Sequence, residues 1–319
     1  MTNNKSKKIN IVFYSEWDPY IKWKKILSVY NIILHKWPDD FIKTKIYPKV
    51  EGALVWDPPS EMWLCFPKIK IIQSLGAGVD HIVNKNYPKD VNIIKLNDPN
   101  LSNQISEYVL MSVLMCYRKF FQYLIYKNSK QWKQLKPMNK RDFKITILGY
   151  GNIAKLVIKR LQLNNFQVKV WGHSKRKIKN INYYHGKNQL SLSLKNTTCL
   201  ICLLPFTPQT NNIIGLNEFK TLNSESYFIN VGRGNTVNEN DLLYSLDNSI
   251  LTGAILDVFK QEPLMKNNKL WNLNNVFISP HIAGITNPTN YSAKLLKENF
   301  IALYNNKKLK NLVTPNRGY

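Results

Sequence analysis

At 319 residues, with 44% hydrophobic side chains, the chain has enough apolar material for two compact domains, which excludes an intrinsically disordered protein. No run of about 18 apolar residues occurs, and the polar, lysine-rich residues 1–10 lead into no signal-like apolar region, so no membrane partner is expected and the cytoplasm is the expected compartment. The net charge of +25 raises nucleic-acid binding, but the lysines are scattered with no basic tail or nucleic-acid motif. We therefore expect no nucleic-acid partner, only a surface that attracts small anions.

In chain order, INIVFYS (centred on 10–15), ALVW (53–56), IKIIQSL (69–75) and NIIKLN (92–97) are short Ile- and Val-rich runs that predict buried strands. The apolar spacing over residues 20–34 predicts a helix, and His35 falls in that surface-like helical stretch. Such alternation is the pattern of a doubly wound α/β domain. SLGAGVD (74–80) follows a predicted strand; its amides at Ala77, Gly78 and Val79 offer a grip for a substrate carboxylate, unless the loop is merely a tight turn. One unbroken helix is predicted from Gln104 to Tyr126, capped by Ser102 or Asn103, with Met111, Met115 and Cys116 as core or interface residues.

A second α/β series follows: KITIL (144–148), QVKVW (167–171), CLICLL (199–204), SYFINV (226–231), LTGAILDV (251–258) and VFISP (276–280). A terminal helix from about Pro288 to Tyr304 could return to the first domain. The expected division is a substrate domain of residues 1–101 plus 287–319 around a cofactor domain of residues 102–286. Four cysteines are too few for a disulfide framework. Cys199 and Cys202 stand three apart on an apolar strand and face opposite sides, so no metal is expected.

LGYGNIA (148–154) is a G-x-G-x-x-A between a strand and a helix. Gly149 permits the turn, Gly151 lets the backbone approach a pyrophosphate, and Ala154 still allows close helix–strand packing. The anion would lie on the helix N-terminus, at Asn152 and Ile153. An NAD site usually places an acid about 20 residues further on. Here residues 143–217 contain no Asp or Glu, and His173, Ser174, Lys175 and Arg176 occupy that place. Hydroxyl and cationic donors suit a 2′-phosphate, so NADPH is the expected cofactor and NADH a weaker one, although a solvated lysine cluster remains the alternative.

Three polar residues follow successive predicted strands: Arg233 in NVGRG, Glu262 in DVFKQEPL and His281 in SPHIAG. Ligands of open α/β sheets bind outside the carboxyl ends of strands. A guanidinium fork can grip the carboxylate of a 2-oxo acid, and an imidazole can protonate the alkoxide that hydride addition creates. Glu262 would hold the imidazole in its protonated form. Asp257 could accept from a nicotinamide carboxamide. His185 is expected in a loop.

Taken in order, LGAGVD, LGYGNIA, LLPFTPQT, NVGRG, LDVFKQEPL and SPHIAG resemble the D-isomer-specific 2-hydroxyacid dehydrogenase family. ALVWDPP (53–59), NSKQW (128–132), WGHSKRK and the terminal RGY are similar to its glyoxylate/hydroxypyruvate reductase A branch. The resemblance implies a Rossmann-type cofactor domain inserted in a flavodoxin-like substrate domain. It implies NADPH-dependent reduction of glyoxylate to glycolate and of hydroxypyruvate to D-glycerate, by a cytoplasmic homodimer joined through the long helix. It assigns substrate binding to Arg233, acid/base chemistry to His281 and its carboxylate partner to Glu262, puts Trp56 at the substrate pocket, and puts Leu204 and Pro205 at the cofactor. Ala154 departs from the usual third glycine. Gly232 stands where alanine is more usual, a change expected only to loosen the loop. The alternatives are another 2-hydroxyacid dehydrogenase, of lactate or phosphoglycerate type, and a non-catalytic nucleotide-sensing protein.

Overall fold

Short apolar runs alternating with helices build two parallel sheets in this computed structural model, which describes residues 8–83, 86–96, 98–285 and 290–313. The chain divides into two units, Met1–Pro99 with Thr286–Tyr319, and Asn100–Ile285. The sequence expectation draws these boundaries at 101/102 and 286/287.

In the first unit, β1 (Ile9–Tyr14) leads to α1 (Tyr20–Ser28), β2 (Ile32–Lys36), β3 (Val50–Val55), β4 (Ile71–Ser74), α2 (Asp80–Val83) and β5 (Asn92–Ile94). The strands pair in parallel in the order β2-β1-β3-β4-β5. This is the flavodoxin-like winding. The helix expected over 20–34 is too long. It stops at Ser28, Asn31 turns the chain at φ 57°, and Ile32 and Leu34 bury alternate positions of β2 against β1. Leu34 continues the helical spacing of Trp23, Leu27 and Tyr30, so the pattern alone runs on, and pairing with β1 selects the strand. His35 therefore sits in β2, not on a helix, with Nε2 3.0 Å from Asn10 Oδ1.

Helix α3 (Pro99–Tyr117), all but its first residue in the second unit, and α4 (Phe120–Asn128) come next. These replace the single predicted helix. Pro99 occupies the first helical turn, where its missing N–H costs nothing, so Ser102 and Asn103 lie inside α3 and cap nothing. Lys119, at φ 56°, separates the two helices. The break lets buried Phe121 stack on Tyr227 at 6.3 Å, a packing demand that no Gly or Pro announces in the sequence. Then come β6 (Ile145–Leu148), α5 (Asn152–Leu163), β7 (Val168–Gly172), β8 (Asn182–His185), α6 (Leu190–Leu194), β9 (Cys199–Cys202), α7 (Leu216–Thr221), β10 (Ser226–Asn230), α8 (Glu239–Asp247), β11 (Leu251–Leu256) and β12 (Val276–Ile278). Among the described residues the sheet order is β12-β11-β10-β9-β6-β7-β8, all parallel. The winding reverses between β6 and β9, which is the Rossmann switch point. Edge strand β8 was not expected, because NYYH is half-polar, and His185 ends it instead of lying in a loop.

Helix α9 (Asn290–Tyr304) belongs to the first unit. Phe300, wholly buried, approaches β3 at Gly52, where a Cβ would come within 2.5 Å of its ring. The predicted helix start at Pro288 and the terminal RGY lie outside the described residues. Among the described residues no helix is long and apolar enough to cross a membrane.

Candidate active site

The glycine-rich turn joins β6 to α5. Gly149 adopts φ 105°, and a Cβ there would lie 3.0 Å from the Leu203 carbonyl oxygen, so both its conformation and its neighbour require glycine. Gly151 is the residue that caps α5, and no side chain caps the helix. A Cβ on Gly151 would meet nothing within 4 Å, so the protein's own packing does not demand a glycine there. The residue keeps clear the space before a helix N-terminus whose amides, from Asn152, Ile153 and Ala154, favour an anion. Ala154 is buried beneath the turn. The turn thus fits a dinucleotide pyrophosphate.

His173, Ser174, Lys175 and Arg176 follow β7 as an exposed run. Two tyrosines that sequence reasoning passed over shape it. The Tyr183 hydroxyl donates to the Ser174 carbonyl at 2.8 Å, and the Arg176 guanidinium lies 5.7 Å from the Tyr150 ring centroid, within cation–π range. Tyr150 is the second residue of G-Y-G, so the motif itself carried that signal. Leu204 follows β9, and a Cβ on Gly232 would stand 2.6 Å from its carbonyl oxygen. Gly232 therefore does more than loosen a loop: it admits the Leu203–Leu204 backbone beside Arg233.

Arg233, Glu262 and His281 follow β10, β11 and β12 of this unit. The Arg233 carbonyl is held by the Asn230 side-chain amide at 3.2 Å and the Thr236 hydroxyl at 2.6 Å, and its own Nη1 donates to the Gly232 carbonyl at 2.8 Å. Glu262 accepts the Phe259 amide at Oε1, 2.8 Å, while Oε2 lies 2.7 Å from His281 Nδ1. Burial pushes the Glu262 carboxyl up, but the His281 hydrogen bond and charge, the Phe259 amide and the Arg233 charge together outweigh it and hold the group below its ordinary value. Nδ1 facing a carboxylate puts Nε2 at the opposite edge of the ring, as the atom from which a proton can be passed.

Asp257 has another partner set. It is 1% exposed, and its Oδ1 accepts the Ser279 hydroxyl at 2.6 Å and the Ile282 amide at 2.8 Å, while Oδ2 accepts the Ala283 amide at 2.9 Å. Its carbonyl accepts the His281 amide at 2.9 Å, with His281 at φ 55°. The carboxylate thus pins the loop on both sides of the imidazole, and one acceptor direction remains on Oδ2. The Tyr108 hydroxyl, from α3, donates in turn to Ser279, and burial pushes its pKa up to about 12. Ser279, two residues before His281, could have been suspected from SPH. Tyr108 gave no sign.

In the first unit, the SLGAGVD turn connects β4 to α2. Val79 buries its side chain in the core, and the amides of Ala77, Gly78 and Val79 donate to no acceptor among the described residues. The Trp56 ring packs over Gly76, where a Cβ would come within 2.6 Å of Cζ3. The sequence-selected residues are thus brought together as two local sets, one in each unit. Among the described residues no group of three or more His, Cys, Asp or Glu could hold a metal.

The family model described as "D-isomer specific 2-hydroxyacid dehydrogenase, NAD binding domain" matches residues 110–283. The chain is 38% identical over 251 residues to a glyoxylate/hydroxypyruvate reductase A of Escherichia fergusonii, covering 77% of this chain and 80% of the relative. It is 33% identical over 288 residues to one of Photorhabdus laumondii, covering 88% and 90%. Among solved structures, a D-isomer specific 2-hydroxyacid dehydrogenase of Xanthobacter autotrophicus Py2, in complex with NADPH and MES, aligns with a TM-score of 0.90 at 30% identity over 98% of this chain and 100% of that one. An NADPH-dependent glyoxylate/hydroxypyruvate reductase of Sinorhizobium meliloti, in complex with NADP and sulfate, gives a TM-score of 0.90 at 27% identity over the same shares.

Proposed function

The chain belongs to the D-isomer-specific 2-hydroxyacid dehydrogenase family, and from that premise we propose that it reduces small 2-oxo acids with NADPH, glyoxylate to glycolate and hydroxypyruvate to D-glycerate. The observation that carries the proposal is the 2.7 Å contact between His281 Nδ1 and Glu262 Oε2, on a loop pinned by Asp257 and close to the charge of Arg233. NADPH, held at the Gly149–Ala154 turn, would supply a hydride to the carbonyl carbon. The Arg233 guanidinium binds the substrate carboxylate and orients the 2-oxo group. His281 passes the Nε2 proton to the developing alkoxide oxygen, while Glu262 holds the ring in position and stabilises its positive charge before transfer. The protonated oxygen becomes the hydroxyl of the 2-hydroxy acid.

The cofactor preference rests on the same kind of chemistry. Gly151 leaves room for the pyrophosphate at the start of α5, and His173, Ser174, Lys175 and Arg176 offer donors to a 2′-phosphate. No acid between residues 143 and 217 is present to grip a ribose hydroxyl in its place, so NADH binds more weakly. Within the first unit, the Ala77, Gly78 and Val79 amides serve a carboxylate and Trp56 forms an apolar wall. We assign the protein to the cytoplasm and to a homodimer, and the dimer is supported by Met111, Phe120 and Ile125, which α3 and α4 leave exposed.

Following NADPH absorbance with a panel of 2-oxo acids tests the proposal. Turnover with glyoxylate and hydroxypyruvate, and faster reaction with NADPH than NADH, is the expected result. Turnover restricted to pyruvate or to phosphorylated substrates would replace it with a lactate- or phosphoglycerate-type reading.

A further inference from the structure

His81 is one of the chain's five histidines, and its ring is engaged on three sides within the first unit. The Asp57 backbone N–H points at Nδ1 at 3.0 Å, Nε2 lies 3.1 Å from Ser74 Oγ, and the imidazole packs on Trp56 with centroids 4.2 Å apart. A backbone N–H can only donate, so Nδ1 must present its lone pair. The ring proton is then on Nε2. Ser74 agrees independently: its hydroxyl donates to the Gly78 carbonyl at 2.7 Å, and its oxygen accepts the Gly76 amide at 3.1 Å. With its own proton committed to Gly78, Ser74 Oγ can meet Nε2 only as an acceptor. These contacts agree on the ring proton, and both the other neutral tautomer and the imidazolium would set Nδ1–H against the Asp57 N–H.

We propose that His81, as the neutral Nε2–H tautomer, is a positioning residue for the 2-oxo acid: it fastens the Trp56–Asp57 segment to the Ser74–Gly78 turn, and so fixes an apolar wall and a cluster of amides relative to each other. The two segments leave neighbouring strands, β3 and β4, and the imidazole bridges them beyond the strand ends. Trp56 is thereby held between the His81 ring and the bare α-carbon of Gly76, which leaves the indole little freedom. His81 has no part in hydride or proton transfer; its effect falls on substrate binding. The inference rests on the reading that Trp56 and the 77–79 amides meet the substrate.

Two measurements test it. In protein carrying ¹⁵N-labelled histidine at pH 8, two-bond ¹H–¹⁵N spectra distinguish the tautomers, and the signal lost in His81→Phe identifies the residue. The Nε2–H pattern is expected; an Nδ1–H pattern or a tautomer average overturns the proposal. In steady-state assays at saturating NADPH, His81→Phe keeps an aromatic ring against Trp56 but removes both hydrogen bonds. It should raise KM for glyoxylate about tenfold and leave kcat within about twofold, as two modest hydrogen bonds predict. His81→Gln, which restores a donor toward Ser74, should recover part of that loss. A wild-type KM in His81→Phe, or a loss confined to kcat, overturns the positioning role. Should the wild-type protein reduce no 2-oxo acid, the functional reading is what fails, and the tautomer spectrum still decides whether the clamp exists.

Discussion

His281 and Arg176 both stand beyond the carboxyl end of a strand in the same seven-stranded sheet, yet they are held in opposite ways. The loop of His281 is pinned by a carboxylate that is 1% exposed and accepts three hydrogen bonds, and the imidazole leans on a second carboxylate. Arg176 sits on an exposed run, steadied by a tyrosine ring at 5.7 Å. Acid/base chemistry needs an atom held at a fixed place, which buried acceptors provide. Recognition of a phosphate needs charge, which an exposed and partly adjustable loop supplies in company with its neighbours. On the proposed function, one region works by position and the other by charge.

That contrast can be tested by substitution. His281→Gln should lower kcat about 10²–10⁴-fold and leave NADPH affinity unchanged, since a glutamine cannot deliver the proton; steady-state rates together with fluorescence titration of the cofactor check both halves. Asp257→Asn turns a donor toward the Ile282 or Ala283 amide within a buried site. It should cost about 1.5–3 kcal/mol of stability in urea unfolding and reduce kcat as well, because the loop on either side of His281 is released. An Asp257→Asn protein with unaltered stability would remove the buried carboxylate as the anchor.

Replacing Lys175 and Arg176 together with glutamine should leave stability alone and lower the ratio of kcat/KM for NADPH over NADH about tenfold, the worth of roughly one charge-assisted bond after solvent screening. Added salt should shrink the wild-type ratio toward that of the variant, whereas kcat should respond little. The smallest effect concerns Glu262, whose folded carboxyl lies below its ordinary value of 4.5. A depressed acid stabilises the fold above its unfolded pKa and loses that contribution as pH falls through the folded one. The stability difference between wild type and Glu262→Gln should therefore be present above the unfolded carboxyl pKa and vanish in acid, read from urea unfolding at a series of pH values.

Much of the fold was legible because its central strands are continuous apolar runs. CLICLL, SYFINV and LTGAILDV correspond to β9, β10 and β11, whose strand residues are buried on both faces of the sheet except the half-buried Thr252. The edge strands were harder. The half-polar NYYH of β8 resembles a loop, and IILHK of β2 continues a helical spacing until β1 claims it. The break between α3 and α4 left no local trace, since it answers to Phe121 packing on Tyr227, a residue distant in sequence. In the site, strand-end positions and the glycine fingerprint pointed to Arg233, Glu262, His281 and Gly151. Tyr108, Ser279, Tyr150 and Tyr183 act through contacts that only the folded chain makes.

The sequence alone determined the doubly wound class, the family and the residue types suited to the chemistry, because those depend on hydrophobic period, turn chemistry and short motifs confined to neighbouring positions. Only the tertiary structure decided that Asp257 spends three acceptor directions on the His281 loop, that Gly232 must be bare to admit Leu204, and that the His81 proton rests on Nε2. Each of these depends on which donor or atom from a remote segment arrives within about 3 Å, and proximity of that kind is created by folding.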